Sequence, residues 1–332
     1  MSSASTIDLS RNLGATSRSE LHDQLQRLHR SLVVRAARWS QSDTPTVLWG
    51  PKIAHSVHRP SAGLCARFLV PKKPSHLPAS QRIPPTIPLR LRRDDGKYDI
   101  ITIVTDILPI AGQFVPTGAR VLARESALTG VTLSWHLGGP WQWGLLTVGH
   151  LFAGQRLPLS VRVERIATPV RAEAPWIEGR VAVRTTSRQA YDGAIIEVSR
   201  SALQLSGFLP HVRKSQRVLD PLSLAYHAQQ YATGNSLTES QPSFRVIGYE
   251  PIAHLPPLGR LQGVIYAEGE PGDFHAGSSG AVWTINGIPA AIQVGAYEPE
   301  YRIGVAQSLH VLAFDWAVEK LQAEQLAIRH VI

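Results

Sequence analysis

Cysteine is almost missing from this chain of 332 residues, and no long apolar stretch interrupts it. The only cysteine is Cys65, which excludes an internal disulfide and a zinc site built on cysteines. This usage fits a reducing compartment, so we expect a cytoplasmic protein. No apolar run approaches the roughly 18 residues of a membrane span, and the polar N-terminus lacks the apolar core of a secretory signal. The sequence therefore predicts no contact with a membrane.

Several familiar cofactor motifs are also missing. The chain has no P-loop, no dinucleotide fingerprint and no HExxH pair, so we expect an activity without a cofactor. His55 and His58 have a spacing that can bind a metal on a helix, but they stand in a predicted loop without a third ligand nearby. We therefore assign no metal. With 43% hydrophobic and 18% charged residues, the composition is that of a folded globular protein.

The positive charge is unevenly distributed. The chain carries a formal charge of +9, and residues 1–100 hold 16 Lys and Arg against 7 Asp and Glu, so the remainder is balanced. A solvated basic face is the plainer interpretation. The alternative is a nucleic acid or an acidic partner protein, contacted by the following arginines: Arg27, Arg30, Arg35, Arg38, Arg90, Arg92 and Arg93.

The N-terminal region predicts a helical arm. Ser17 and Glu20 fit a capping box, in which each side chain satisfies the other residue's backbone amide. A stripe of leucines follows at helical spacing and predicts a face that packs on the body of the protein: Leu21, Leu25, Leu28 and Leu32. Residues 40–60 are rich in Ser, Thr and Pro and are interpreted as a linker.

The rest of the chain favours β-structure. "AGLCARFLV" and "YDIITIVTDI" are β-rich, and "TGVTLSWHL" with "WQWGLLTV" flanks "GGP" as a hairpin. Further short strands separated by Gly and Pro turns follow, which is typical of a barrel or sandwich. Near the C-terminus, apolar residues at helical spacing predict a helix over residues 308–328. The expected class is all-β, with a C-terminal helix and an N-terminal helical arm.

Three polar residues stand where strands begin or end. His150 follows the apolar strand in "GLLTVGHLF", Asp192 precedes the β-rich run in "YDGAIIEVS", and Ser279 precedes a strand in "HAGSSGAVW". Acyl transfer by a serine needs a base to take the hydroxyl proton, an acid to orient the base, and backbone amides to hold the oxyanion. These three side chains supply the base, the acid and the serine itself.

Together the pieces resemble the trypsin-like serine peptidases of the chymotrypsin fold. "TVGH", "DGAII" and "GSSGA" are similar to that family's His, Asp and Ser motifs, in the same order and at similar separations. The resemblance covers roughly residues 100–332. It implies a double six-stranded β-barrel, a triad of His150, Asp192 and Ser279, and an oxyanion hole formed by the amides of Gly277 and Ser279.

The chain departs from the family pattern at two positions. Ser278 stands where the family usually has Asp, so the family's zymogen switch is not expected, and Ala281 replaces a second Gly. Asp273 lies six residues before Ser279, where members with an acidic pocket carry Asp, which would favour substrates with Arg or Lys before the cut. An exposed acidic loop is the alternative interpretation of Asp273.

Other groups compete for the same roles. Ser278 is a rival nucleophile, and His136 and His275 are rival bases, although His136 falls in a hairpin turn and His275 is better placed to line the mouth of the pocket. The order Gly-x-Ser-Gly favours Ser279.

The expected organisation has three parts. Residues 1–50 form the arm and linker, 51–125 an extension, and 126–332 the peptidase domain, whose barrels divide near residue 210 and whose second barrel ends at about 307. A looser resemblance to intracellular peptidases of the plant narrow-leaf type, in "RIPPTIP" and "IVTDILPI", implies that residues 50–125 pack on the peptidase body.

The sequence thus predicts an intracellular serine endopeptidase that acts on a protein or peptide. The rival is a non-catalytic, peptidase-like module that binds a peptide or nucleic acid through the basic first third. An enzyme that processes only itself or one partner lies between the two.

Overall fold

The computed structural model describes most of the chain. The described residues are 18–40, 45–51, 64–70, 82–92, 96–110, 112–117, 126–127, 130–164, 176–186, 189–205, 216–220, 231–234, 243–275 and 277–331. Ser17 of the predicted capping box, His55 and His58 lie outside them.

Strands dominate these residues. Helices α1, α2 and α3 span Arg18–Ser40, Arg200–Leu205 and Val318–Leu321; a 3-10 turn spans His150–Phe152 and a π-helix Val311–Ala317. The strands are β1 Val47–Pro51, β2 Leu64–Val70, β3 Thr86–Arg92, β4 Tyr98–Pro109, β5 Gln113–Val115, β6 Ser126–Ala127, β7 Val131–His136, β8 Gln142–Thr147, β9 Leu159–Glu164, β10 Trp176–Arg184, β11 Ala194–Glu197, β12 Tyr231–Gly234, β13 Ser243–Leu255, β14 Gly259–Glu268, β15 Val282–Ile285, β16 Ile288–Glu298, β17 Ile303–Ser308 and β18 Gln325–Val331.

The C-terminal half builds a closed barrel. Its strands run in the order β12-β15-β16-β17-β14-β13, and β12 also pairs with β13, which closes the ring at six strands. Every neighbouring pair is antiparallel. Closure leaves these six strands without a free edge along the ring.

The chain before the barrel continues the same sheet. Strand β1 pairs antiparallel with β13, and the order then runs β1-β2-β4-β3, with β2 and β4 parallel. The predicted linker over residues 40–60 was therefore wrong in part, because Val47, Leu48 and Trp49 are fully buried strand residues. Their apolar, β-favouring side chains outweigh the Ser, Thr and Pro around them.

The second sheet has seven strands in the order β18-β7-β8-β11-β10-β9-β6. The predicted hairpin is present, since β7 pairs antiparallel with β8. Strand β8 then pairs with β11, with Thr147 opposite Ala194. This pairing brings together the chain segments that carry His150 and Asp192.

The predicted class is confirmed: the described chain is all-β, with an N-terminal helical arm and a C-terminal helix. The C-terminal helix is shorter than the predicted 308–328, because it ends at Leu321, where Gln322 takes a left-handed conformation (φ +53°). Residues Gln325–Val331 instead form β18 on the edge of β7. The domain boundaries at 50, 125 and about 210 stay predictions. No helix in the described part of the chain is both long and apolar enough to cross a bilayer.

The helical arm packs as its leucine stripe predicts. Leu25, Leu28 and Leu32 are buried against β1, β2 and the barrel. A buried polar cluster joins the arm to the body: the Trp49 indole donates to Nδ1 of His29, and Nε2 of His29 lies 3.2 Å from the Ile252 carbonyl oxygen.

A buried carboxyl group completes this cluster. The Tyr266 hydroxyl donates to Oε2 of Glu250 at 2.8 Å, and the Val47 amide donates to Oε1 at 3.3 Å. Burial raises the pKa of Glu250 to about 8. Burial also lowers the pKa of His29 to about 4, and the hydrogen bond to the Ile252 carbonyl opposes this shift only in part. Both side chains are therefore uncharged at neutral pH.

The buried Glu250 makes stability depend on pH. Its folded pKa lies above the unfolded value, so its stabilising contribution is complete below about pH 4.5 and is lost as pH rises towards 8. Glu250→Gln removes this titration. We expect the unfolding free energy of the variant, minus that of the wild type, to increase by up to about 1.4 kcal/mol per pH unit as pH rises across that window. Urea unfolding at several pH values measures this difference. The exposed Glu178→Gln is the control, with a pH-independent difference. A constant difference for Glu250→Gln as well would contradict the buried, neutral carboxyl group.

Candidate functional site

His150 is set at the end of β8 by the turn that follows it. It begins the 3-10 turn, whose next two residues, Leu151 and Phe152, are buried anchors. Gly149 before it has no room for a side chain, because a Cβ there would lie 2.7 Å from the Gly193 carbonyl oxygen. The close approach of the segments around Gly149 and Gly193 thus fixes the backbone position of His150.

Asp192 lies on the neighbouring segment, just before β11, and is 4% exposed. Its backbone amide donates to Oε1 of Gln307 at 2.9 Å. The Gln307 amide group in turn donates to the carbonyl oxygens of Ala190 and Gln262. Because Gln307 belongs to β17 of the closed barrel, one sheet holds the aspartate of the other. Sequence reasoning did not identify Gln307.

Ser279 sits in a tight turn that leads into β15. Gly277 and Gly280 have φ values of +98° and +94°, which favour glycine. The amide of Gly280 donates to the Gln293 carbonyl at 2.9 Å, and the amide of Ala281 donates to the Ser278 carbonyl at 3.0 Å. These backbone hydrogen bonds therefore hold the turn that carries the Ser279 side chain.

The three predicted residues meet in one line of hydrogen bonds. Asp192 Oδ1 accepts the His150 backbone amide at 2.7 Å, and Oδ2 lies 2.6 Å from Nδ1 of His150. Nε2 of His150 is 3.1 Å from Oγ of Ser279. With a proton on Nδ1 donated to the carboxylate, Nε2 is free to accept the serine proton. The arrangement can therefore activate a hydroxyl group as a nucleophile.

The backbone amide of Gly277, predicted for the oxyanion hole, already has a partner. It donates to the carbonyl oxygen of Thr117, which follows β5. Oγ1 of Thr117 lies 3.1 Å from Oγ of Ser279, and the residue is 2% exposed. Sequence reasoning missed Thr117, because it is 162 residues distant from Ser279 and carries no motif.

The rival nucleophile Ser278 faces a different group of atoms. Its hydroxyl donates to the His275 carbonyl at 2.7 Å and accepts the side-chain amide of Gln293. The Trp283 indole donates to Oε1 of Gln293 at 3.2 Å, so the glutamine is fixed at both ends. Ser278 and Gln293 form a polar wall next to Thr117, since Ser278 Oγ and Gln293 Nε2 lie 3.4 and 3.5 Å from Oγ1 of Thr117.

Asp273 is engaged by its own turn. Its Oδ2 accepts the backbone amide of Glu270 at 2.7 Å, and the side chain is partly exposed. Its role in substrate selection stays a prediction. His136, a rival base, lies in the β7–β8 hairpin region, where its Nδ1 accepts the Gly138 amide and faces Glu324 at 3.4 Å.

The predicted basic surface is only partly described. Arg27, Arg30 and Arg90 are exposed, whereas Arg35 donates to the Pro88 carbonyl at 2.6 Å. Arg93 and the side chains of Arg38 and Arg92 lie outside the described part. Within that part, no group of three or more His, Cys, Asp and Glu residues is placed to hold a metal ion.

The short contact between His150 and Asp192 predicts a spectroscopic signature. A proton held between Nδ1 and a carboxylate at 2.6 Å is strongly deshielded. We expect a proton resonance far downfield of the amides, absent from His150→Ala and Asp192→Asn but present in Ser279→Ala. A spectrum that Asp192→Asn leaves unchanged would contradict the pairing.

Comparisons with known proteins give structural similarity alone. No protein-family model and no curated protein matches the chain. Among solved structures, protease A of Thermobifida fusca is 12% identical, with 61% of this chain and 98% of that one covered and a TM-score of 0.36. The Nocardiopsis protease is 9% identical, with 62% and 100% covered and a TM-score of 0.38. A protease from M. tuberculosis in its active form is 14% identical, with 66% and 95% covered and a TM-score of 0.35.

Other matched structures include a glutamic-acid-specific serine protease, a chymotrypsin of Cellulomonas bogoriensis and a mutant of human heparin-binding protein. With TM-scores below 0.5 these similarities carry no argument, and the function is inferred from the site itself.

Proposed function

We propose that this chain is a serine endopeptidase that cleaves peptide bonds through Ser279, His150 and Asp192. The observation that supports this best is the unbroken line of hydrogen bonds from the buried Asp192 carboxylate through the imidazole to the Ser279 hydroxyl. An imidazole held at Nδ1 by a carboxylate, with Nε2 facing a serine, is the arrangement that acyl transfer needs.

Each residue has a defined role in the reaction. Ser279 Oγ attacks the substrate carbonyl carbon while His150 Nε2 takes its proton. The resulting imidazolium is stabilised by Asp192, and it returns the proton to the leaving amine. Water then repeats the sequence in reverse and releases the acyl group from Ser279.

The developing negative charge needs donors that are already in place. The amides of Gly277 and Ser279 are the proposed donors, and the positive φ of Gly277 supports the role, because it turns an N–H towards the site. The carbonyl oxygen that Gly277 already binds supports the same geometry.

Two further parts of the proposal rest on the sequence alone. The intracellular location stays a prediction, and so does a nucleic acid or acidic partner for the basic first third. The exposed Arg27, Arg30 and Arg90 are compatible with such a partner, but they are equally typical of a solvated face.

A fluorophosphonate probe tests the enzyme directly, since it reacts only with an activated serine. We expect labelling at Ser279, mapped by peptide mass spectrometry, and its loss in Ser279→Ala. Labelling should fall at least about 100-fold in His150→Ala, because the general base is removed. The exposed Ser199→Ala is the control and should label as the wild type does.

Two results would contradict the proposal. Label that persists in Ser279→Ala would assign the nucleophile to another group, such as Ser278. A folded wild-type chain that neither labels nor hydrolyses any member of a peptide library would favour the rival, non-catalytic binding module.

A further inference from the structure

The chain places a strand of its own across the candidate site. Strand β5 pairs antiparallel with the end of β16, with Val115 opposite Ala296 and Phe114 opposite Tyr297. On this stretch β16 has run past its partner β15, whose pairing ends at Ile292. Strand β5 therefore occupies an edge that would accept an extended peptide from another molecule.

The absence of a side chain at Gly295 lets another backbone approach this edge closely. A Cβ on Gly295 would overlap the carbonyl oxygen of Val115 and the ring of Phe114. Phe114 is 5% exposed and its ring packs edge-on against Tyr297, with centroids 6.0 Å apart. Main-chain pairing and one buried aromatic anchor thus fix the register of the segment.

The register brings a backbone carbonyl to the nucleophile. Two residues beyond Val115, the carbonyl oxygen of Thr117 accepts the amide of Gly277, the group assigned above to the oxyanion. The Thr117 side chain contacts the polar wall of Ser278 and Gln293, and its hydroxyl oxygen lies 3.1 Å from Oγ of Ser279. An extended strand, a filled side-chain pocket and a carbonyl on the oxyanion donor are the features of a bound acyl half of a substrate.

We propose that residues 113–117 are the acyl half of a self-cleavage site, and that Ser279 cuts the bond between Thr117 and Gly118 of its own chain. This inference rests on the proposed peptidase function and names a substrate for it. It also assigns the selectivity of the pocket to a small residue with a hydroxyl group, set by Ser278 and Gln293, with an aromatic residue preferred three positions earlier.

The reaction balances without a co-reactant other than water. Ser279 Oγ bonds to the carbonyl carbon of Thr117, and its proton passes to His150. The bond to the Gly118 nitrogen breaks, and that nitrogen takes the proton from His150. Water then hydrolyses the ester and leaves a carboxylate on Thr117 and a free Ser279. The products are residues 1–117 and residues 118–332.

The N-terminal product stays attached by its strands. Strands β1 and β5 of this piece pair with β13 and β16 of the other piece, and neither pairing involves the cut bond. We therefore expect the two pieces to co-purify under native conditions and to separate in denaturant.

Intact-mass measurement on the full-length chain tests the cut. We expect the purified protein to convert to two pieces, the second beginning at Gly118, with a first-order rate that does not change on tenfold dilution. Ser279→Ala should stay whole, also when mixed with the wild type. Cleavage at Thr117 in Ser279→Ala alone would show that another protease makes the cut and would overturn the proposal.

Substitutions of Thr117 test the pocket. Thr117→Ser keeps the hydroxyl and should cut at a rate near that of the wild type, whereas the isosteric Thr117→Val should slow cleavage about tenfold or more, because it removes the acceptor of a buried Gln293 N–H group. Thr105→Val is the matched control: it removes a buried hydroxyl that donates to the Pro84 carbonyl, away from the site, and should not slow the cut.

A test with synthetic peptide substrates avoids any effect of substitution on folding. Phe-Val-Pro-Thr p-nitroanilide should be hydrolysed at least about ten times faster than Phe-Val-Pro-Val p-nitroanilide. Equal rates for the two peptides would overturn the assigned selectivity.

The failures of the two proposals differ. A chain that labels with fluorophosphonate at Ser279 but stays whole at Thr117 overturns the self-cleavage and leaves the peptidase standing. If Phe114→Asp then speeds labelling, residues 113–117 are a fixed block of the site and not a substrate. A chain that neither labels nor cuts overturns both.

Discussion

The hydrogen bond between the Asp192 amide and the Gln307 side chain joins the two sheets at the point where the candidate chemistry occurs. A hydroxyl is activated only if carboxylate, imidazole and hydroxyl lie within hydrogen-bond distance of one another. His150 and Asp192 come from the seven-stranded sheet, whereas Ser279 comes from the closed barrel. The alignment of the sheets therefore decides whether Nε2 of His150 meets Ser279, and Gln307 fixes that alignment through two further backbone carbonyls.

The same alignment explains the position of β5. Strand β16 contributes the Val294 carbonyl, 3.4 Å from Oγ of Ser279, and two residues later it pairs with Val115. A peptide that pairs with this edge therefore lies next to the nucleophile. In the proposed self-cleavage, one strand pairing supplies both the recognition of the backbone and the position of the carbonyl, and we expect Ser278 and Gln293 to add side-chain selectivity.

Local patterns predicted the parts of the site that depend on short stretches of sequence. His150, Asp192 and Ser279 each stand next to a strand within a recognisable motif, and the structure brings the three side chains together. Thr117 and Gln307 could not be found in this way, because the contacts that join them to Ser279 and Asp192 link residues more than a hundred positions apart. Long-range pairing leaves no periodic signal in the sequence.

The errors in the fold have a similar origin. The apolar spacing over residues 308–328 fits a helix throughout, but Gln325–Val331 finds a partner in β7, and strand pairing outweighs helix propensity there. Residues 47–50 are buried, and their strand pairs with β2 and β13, although polar and proline residues surround it in the sequence. In both cases a tertiary contact decided the local structure.

The central claim is that the Thr117 carbonyl carbon and Ser279 Oγ are reaction partners. Acid quenching of freshly purified protein, followed by digestion and mass spectrometry, measures this directly. We predict a cross-linked peptide in which the Thr117 carboxyl group is esterified to Ser279, released by hydroxylamine and absent from Ser279→Ala. Cleavage at Thr117 that proceeds with no such ester, or an ester that joins Thr117 to a different residue, would contradict the account.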